Sequence, residues 1–524
     1  MGECGQVDVA ARLGTDEFPR NPIALMPSSF FRNTVLGFSS GAAVALAGFI
    51  GNAIAARLLG PDKLGILAYV VFCVTIASMI AGLGIGVVQQ RFIPNLRAEG
   101  RVDEADGLIG VTTRLSMVAA TVGAVLLFGY LYWPGRSALE GPSKAAAQVI
   151  IAVALIWFVC WRMAEVYQFY LRGEQRFGEL ARLSTASALI KLAVIALGAW
   201  LFGIPGALAG YLAGNLLPAA RIFRLFRFKP RIDRPRRREV TRFAAASWVT
   251  AVLGALVFGR TEILFLEHYS GLGAVGFFAA AATVAEMAIQ LPPLLLSALL
   301  PRFSEQHGLG AHDDMRRLYR TMTALIAMVI VPLCLGLAAI APVLVPLLFG
   351  DEFAAAAPVA SVLLIAAAIS SLGVTTLYLL QSMGKAGFLL MSNGVGLIGT
   401  VALGFLLVPQ FGLMGAAWSR AIVQVTVVLI ETWYVTRRLG ISPPYRALGA
   451  ITLASALQGA VAYFVCAGLS AAWSLVVAVP AAVAVYLVAV RVLAVVSLVD
   501  PQLPDRLVAR APHRMRPLIS HIFR

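Results

Sequence analysis

Hydrophobic residues run through this chain in long unbroken blocks, and the polar residues come between them in short bursts. Fourteen blocks can be marked off, at residues 34–57, 64–88, 108–133, 145–171, 178–202, 204–226, 242–267, 273–300, 320–348, 356–380, 387–408, 411–436, 447–468 and 472–496. Each is close to the ~20 residues that carry an α-helix across ~30 Å of hydrocarbon. In lipid the backbone polar groups of such a block must be satisfied internally, which means helix. The pattern predicts an all-α polytopic membrane protein with about 14 transmembrane helices.

The polar bursts alternate in charge. Connections after even-numbered spans hold Arg91, Arg97 and Arg101, then Arg172 and Arg176, then Arg302, Arg316, Arg317 and Arg320, then Lys385, then Arg437, Arg438 and Arg446. The opposite connections hold little: Lys63 beside Asp62, Arg136 and Lys144 around Glu140, and Asp351 with Glu352. Cytoplasmic loops carry the Lys/Arg excess, so both termini are expected in the cytoplasm of a multi-pass membrane protein. Residues 1–33 contain Pro19, Pro22 and Pro27 with Asp8, Asp16 and Glu17 and lack the apolar core of a secretory signal, so they are expected to stay as a cytoplasmic tail. The most basic run, residues 221–242, has ten Lys or Arg against Asp233 and Glu239, with Pro230 and Pro235 expected to break any helix there. It is expected to be a solvated connector that divides the chain in two.

The halves resemble each other. Gly60, Gly65, Ala68 and Arg91-Phe92 recur 211 residues on as Gly271, Gly276, Ala279 and Arg302-Phe303. FGIPGA at residues 202–207 recurs 209 on as FGLMGA at 411–416. Each unit holds six spans, an even number, so both enter the membrane in the same direction and the repeat is parallel. The expected organisation is a tail at 1–33, an N-lobe of six spans at 34–227, a basic linker at 228–241, a C-lobe of six spans at 242–438, two further helices at 439–496 and a basic tail at 497–524. Two similar bundles joined by a linker create an interface that rocking would open and close, as in a transporter.

Composition adds little to this picture except in charge. The chain is 60% hydrophobic and 13% charged with a net charge of +16, and its mean hydropathy is +0.84. On a multispanning protein a basic balance belongs to loops facing an anionic leaflet rather than to nucleic acid. The five cysteines stand singly and point to neither a disulfide framework nor a metal site.

Ionisable residues inside spans cost about 2.5–3.5 kcal/mol each on insertion scales and are functional candidates. Arg57, Glu431 and Arg491 lie near span ends and are expected to reach water by snorkelling. Arg114, Arg162, Lys191, Arg260 and Arg420 are candidates for handling an anion between the lobes. Glu165 lies one turn after Arg162 and is placed to pair with it. Glu262 and Arg260, two residues apart on a helix, would not face each other. Glu286 has no local partner, leaving a cation from another span or a proton-coupling role. Asn52, Gln168, Asn215, Gln290 and Gln424 are candidates for sugar hydroxyls or for bonds between helices. Prolines at 292, 293, 332, 342 and 346 mark spans 8 and 9 as flexing elements.

ARLLGPDKLGILAYVVF followed by AGLGIGVVQQRF, GRTEILFLEHYSGLGAVGFFAAAATVAE followed by LLPRFSE, and LVPLLFGDEFAAAAPV followed by LLQSMGKAG and VPQFGLMGAAWSRAI resemble the polysaccharide-biosynthesis, O-antigen-type flippases. These form the oligosaccharide-lipid branch of the multidrug/oligosaccharidyl-lipid/polysaccharide (MOP) exporter superfamily. The likeness runs over residues 31–439. It implies two six-helix lobes in a MATE-like V shape, alternating access, and an undecaprenyl-diphosphate-linked glycan carried from the inner to the outer leaflet while its lipid tail stays among the membrane lipids. The family's Arg followed two residues on by an acid in span 7 is matched by Arg260 and Glu262, with Glu for the commoner Asp. No cofactor is expected beyond H+ or Na+ coupling, which would drive the return step where protein cations neutralise the head group, and the two added spans are placed to dock a partner such as a polysaccharide polymerase or glycosyltransferase.

Two other functions fit an all-helical membrane protein less well. A cation-coupled drug exporter of the same superfamily would place a carboxylate in its first lobe, and span 1 has no acid. A membrane glycosyltransferase or polymerase needs a polar catalytic segment outside the bilayer, whereas the loop before Lys144 has one acid, Glu140.

Overall fold

The computed structural model describes residues 28–132, 144–296, 299–469 and 473–499. The tail at 1–27, the loop at 133–143 and the basic tail from residue 500 lie outside the described residues, and with them the expectations placed there. The helices are α1 Ser28–Ile80, α2 Ile85–Ala98, α3 Val102–Tyr132, α4 Lys144–Gly173, α5 Phe177–Phe202, α6 Ile204–Ala220, α7 Arg234–Phe258, α8 Glu262–Ile289, α9 Leu291–Leu295, α10 Leu299–Gly308, α11 His312–Phe349, α12 Ala357–Ser382, α13 Ala386–Arg438, α14 Tyr445–Gly468, α15 Ser474–Val492 and α16 Val495–Val499. Among the described residues ten helical segments are long and apolar enough to cross a membrane. Three of them hold two crossings each, turning at Gly60, Gly271 and Gly412. With α6, which has 17 residues, the described helices are consistent with about fourteen spans.

The repeat is written in the backbone as well as in the sequence. Gly60 (φ 73°, ψ 175°) and Gly271 (φ 80°, ψ 176°), 211 residues apart, make the same left-handed turn. Gly203 (φ 62°, ψ −131°) and Gly412 (φ 53°, ψ −125°), 209 apart, make another. Positive φ disfavours residues with a Cβ, so glycine at these four turns fixes where each hairpin folds.

Within the first lobe α4, α5 and α6 pack on one another and on α1; within the second α8, α11, α12 and α13 do the same, and α14 with α15 docks against α11. The lobes meet along α1 and α8. A Cβ on Gly65 would lie 1.8 Å from the Leu272 carbonyl oxygen, and one on Gly276 would lie 2.0 Å from that of Pro61. Both pairings are related by the 211-residue offset, so the seal near Gly60 and Gly271 is two-fold symmetric and made of backbone. Arg57 adds to it from the first lobe by donating to the Leu347 and Leu348 carbonyls at the end of α11. At the opposite, cation-rich end α2 meets α7: Phe92 packs edge-on against Phe243, Arg91 lies over the Phe243 ring at 4.4 Å, and Trp248 Nε1 donates to Ile80 O at 2.9 Å.

Three expectations need correction. The basic connector is not simply solvated: a 3₁₀ segment, Arg221–Arg227, buries Ile222 and Leu225, and residue 231 donates its N–H to Gly107 O of α3 at 3.3 Å. Pro235 falls in the first turn of α7, where a missing N–H is harmless, so it starts a helix there. Span 9 is one continuous helix through Pro332, Pro342 and Pro346. A proline frees the carbonyl four residues earlier. Tyr486 of α15 donates to Met328 O at 2.7 Å, and Ser361 of α12 donates to Ala338 O at 2.8 Å, so neighbouring helices satisfy what Pro332 and Pro342 release. Span 8 does break, between α8 and α9 at Gln290.

Candidate substrate cavity

A cavity of about 530 Å³ lies between the lobes. The first lobe contributes Asn52 and Thr75 of α1, Lys191 of α5 and Tyr211 of α6; the second contributes Gly259, Arg260, Thr283 and Glu286. Leu67, Val71, Phe72 and Phe258 are among its apolar lining.

Span 7 was expected to be one helix and is two. α7 stops at Phe258, and α8 starts afresh at Glu262. Gly259 turns the chain so tightly that a Cβ there would lie 2.2 Å from Ala255 O. The carbonyls at the end of a helix lack intrahelical partners and carry its negative pole, which favours a cation. Arg420 of α13 supplies it, donating through Nη1 to Gly259 O at 2.6 Å and through Nη2 to Phe258 O at 3.3 Å. Thr261 Oγ1 donates to Leu256 O at 2.7 Å. Arg260 is thereby held in a break between helices rather than on a helix face.

From that break Arg260 makes a two-pronged bond to Glu286, Nε to Oε1 at 2.7 Å and Nη2 to Oε2 at 2.6 Å, and lies 3.4 Å from Thr283 Oγ1. Arg420 is also 3.5 Å from Glu262 Oε2 and 3.8 Å from Glu286 Oε1. Two arginines and two glutamates thus form one formally neutral cluster, with Arg260 and Glu286 on the cavity surface and Arg420 and Glu262 buried behind them. Such pairing offsets the desolvation that would otherwise exclude these charges from the bilayer interior.

The opposite wall is different. Lys191 Nζ lies 4.0 Å from the centre of the Tyr211 ring, a cation–π contact. Tyr211 donates its hydroxyl to Asn52 Oδ1 at 2.9 Å, and Asn215 Nδ2 donates to Tyr211 O. Among the described residues no carboxylate comes within ion-pair distance of Lys191. It is therefore a cation without a carboxylate partner facing a cavity, with the aromatic face as partial compensation.

Of the five cations singled out by sequence, Lys191 and Arg260 line the cavity and Arg420 stands directly behind it. Arg162 and Arg114 are elsewhere. Arg162 is buried inside the first lobe, paired with Glu165 as the spacing predicted. Arg114 donates to Gly110 O at 3.2 Å and to Phe228 O at 2.9 Å, pinning the connector to α3. Glu431, expected to snorkel, is buried and accepts a bond from Ser392 Oγ at 3.1 Å. Asn52 alone of the named amide side chains lines the cavity. Tyr211 and Thr75 were missed; the signal that would have found them is the repeat, since they stand 209 and 211 residues before Arg420 and Glu286.

Residues 30–307 match the family described as "Polysaccharide biosynthesis protein". Over 350 residues the chain is 21% identical to the teichuronic acid biosynthesis protein TuaB of Bacillus subtilis, covering 65% of this chain and 71% of that protein. Over 422 residues it is 20% identical to the probable low-salt glycan biosynthesis flippase Agl15 of Haloferax volcanii, covering 79% and 85%. Among solved structures it is similar to lipid II flippase MurJ in an inward closed conformation, with TM-score 0.72 and 12% identity over 88% of this chain and 98% of that one. It is also similar to an inward-facing multidrug MATE transporter of the MOP superfamily, with TM-score 0.64 and 16% identity over 76% and 94%. These structural likenesses establish the fold as that of an all-helical membrane protein resembling MurJ and the MATE transporters.

Proposed function

The chain belongs to the polysaccharide biosynthesis protein family, and on that premise we propose that it flips a polyprenyl-diphosphate-linked oligosaccharide across the membrane by alternating access. The observation that carries this reading is the cavity between the lobes with Lys191, held against the Tyr211 ring, on one wall and Arg260 on the other. A cavity of this size takes a diphosphate and the first sugars of a glycan, with Asn52, Thr75 and Thr283 as hydroxyl partners, while the polyprenyl chain stays in lipid.

The diphosphate first meets Lys191, which among the described residues has no carboxylate to give up. Arg260 becomes available only when the phosphate, or a proton on Glu286, breaks its bond to that carboxylate. Guanidinium and phosphate match in a two-pronged geometry, so the exchange replaces one charge-assisted pair by another. Outward movement of a dianion runs down an inside-negative potential by ~2.3 kcal/mol per charge per 100 mV. Return of the empty carrier with a proton or sodium ion would complete the cycle, and Glu286 is the cavity carboxylate placed to take it. The protein would act without chemical conversion of its substrate, in the bacterial cytoplasmic membrane with both termini inside, beside the polymerase and glycosyltransferases that use and make its cargo.

The drug-exporter reading needs a carboxylate free to meet an organic cation. Glu286 is the carboxylate on the cavity surface, and Arg260 already occupies both its oxygens.

The test is reconstitution of the purified protein in liposomes carrying a fluorescent undecaprenyl-diphosphate oligosaccharide, with leaflet reported by a membrane-impermeant quencher. Protein-dependent transfer is expected. Absence of transfer, with efflux of organic cations from the same vesicles, would replace this reading by the drug exporter.

A further inference from the structure

A second cavity, of about 410 Å³, opens on the outside of the first lobe at the cation-rich membrane face, between α5 and α6. At the far end these helices touch backbone to backbone: a Cβ on Gly206 would lie 1.8 Å from Gly198 O. They part toward the other end, and the space between them is lined by Arg182, Arg221 and Arg224 together with Leu183, Ala186 and Leu217. Glu179 is there too, already engaged: it accepts from Tyr167 Oη at 3.0 Å and Arg221 Nη1 at 3.2 Å, and pairs with Arg176. Arg182 donates Nε to Gly178 O at 3.3 Å, a bond within its own helix. Among the described residues neither Arg182 nor Arg224 has a carboxylate within ion-pair distance.

The layering is that of the membrane interface. Ala186 and Leu217 lie further into α5 and α6 than Arg182 and Arg221, and Leu183, packed against Ile222 and Leu225, forms the inner wall. The 3₁₀ segment beside the site exposes Phe223 (67%) and Phe226 (38%), stacked with centroids 6.3 Å apart. Exposed aromatic rings next to cations at a helix end mark the headgroup level. The site is separate from the substrate cavity. Lys191 stands nine residues after Arg182, half a turn round α5 at ~100° per residue, and so faces the other way.

We propose that this cleft binds the anionic phosphodiester headgroup of a membrane phospholipid from the adjoining leaflet, phosphate on Arg182 and Arg224 and upper acyl carbons along Leu183, Ala186 and Leu217. An inorganic phosphate would satisfy the arginines and leave the apolar wall bare. A phosphatidylcholine carries its own cation into a cationic site. The ligand class is therefore an acidic diacyl lipid such as phosphatidylglycerol.

The experiment is native mass spectrometry of the full-length protein released from nanodiscs containing equal phosphatidylglycerol and phosphatidylcholine. Wild type is expected to retain phosphatidylglycerol, with affinity about fivefold lower for each of Arg182→Ala and Arg224→Ala, from ~1 kcal/mol per interfacial cation. Arg437→Ala with Arg438→Ala, at the end of α13, is expected to leave retention unchanged. Arg182→Lys and Arg224→Lys, made singly, keep the charge and are each expected to retain the lipid where the alanine variant at the same position loses it, which separates loss of the site from loss of the fold. Equal retention by the alanine variants would overturn the site. So would equal retention of phosphatidylcholine, and displacement by inorganic phosphate at millimolar concentration would reassign it to a soluble anion.

Discussion

Thr75 on the first-lobe wall of the cavity stands where Glu286 stands on the second, and Tyr211 where Arg420 stands, at the offsets of 211 and 209 residues that relate the two units. The first wall is a hydrogen-bonded surface with one cation, Lys191, that lacks a carboxylate partner among the described residues. The second carries four charges that sum to zero. Charge count and electrostatic pull are thus inverted: the more heavily charged wall attracts an anion less, because its cations are already paired. The repeat supplies one scaffold twice, and the side chains at equivalent places divide the labour, a standing attraction on one side and a bond to be exchanged on the other.

The sharpest way to break this comparison is Arg260→Ala. It removes a cavity cation and leaves Glu286 with only the 3.8 Å contact to Arg420, and since the pair is half-buried the cost lies below the ~3–5 kcal/mol of a fully buried one. The flipping rate in liposomes is expected to fall by at least about 100-fold, with a lower melting temperature in detergent. Adding Glu286→Gln should restore the melting temperature and leave transport lost. Recovery of transport in the double variant would show that Arg260 serves only to neutralise Glu286.

Lys191→Ala should behave differently, since no partner is stranded. Transport is expected to drop about 10-fold, the worth of one charge-assisted phosphate contact, while the melting temperature holds or rises. A fall in stability equal to that of Arg260→Ala would mean that the two walls are not distinct.

Gly65→Ala and Gly276→Ala test the symmetric half of the comparison. Each puts a methyl group into the backbone seal, and the two should raise labelling of a cysteine at Asn52 by an impermeant reagent from the Gly60 side to similar degrees. One strong and one silent variant would show the seal to be one-sided.

The smallest effect is expected for Arg114→Ala, away from both walls. Loss of its connector bond at Phe228 O should lower stability by about 0.5–1.5 kcal/mol and leave the flipping rate within about twofold.

The spans and the repeat were legible because lipid leaves few choices: a backbone in hydrocarbon must be helical, and a turn needing positive φ calls for glycine at Gly60, Gly203, Gly271 and Gly412 alike. Intramembrane charge also flagged Lys191 and Arg260. The same signal flagged Arg114 and Arg162, because a cation inside a span reads alike whether it faces a cavity, a neighbouring backbone or a carboxylate on its own helix. Partners across the fold were invisible. Glu286 meets Arg260 only because span 7 breaks, and one glycine before an arginine is weak notice of that. Glu431 lay close to a span end in number and inside the lobe in space. The prolines of span 9 were read as bends since nothing in their neighbourhood announces that Tyr486 and Ser361 arrive to hold the freed carbonyls.

The break after Phe258 has a mechanical side. α7 is a rod of 25 residues, ~37 Å long at 1.5 Å per residue, pivoting at Gly259, with Phe243 resting on Arg91 and Phe92 part-way along and the Arg-rich connector at its far end. A rotation of ~10° at such a pivot sweeps the far end through ~6 Å, about the width of a helix turn. Arg420, gripping the last carbonyls of the rod, sits at the fulcrum. At Phe243, ~24 Å from the break, the same rotation would amount to ~4 Å, so any turn of α7 at this fulcrum would be felt where it meets α2.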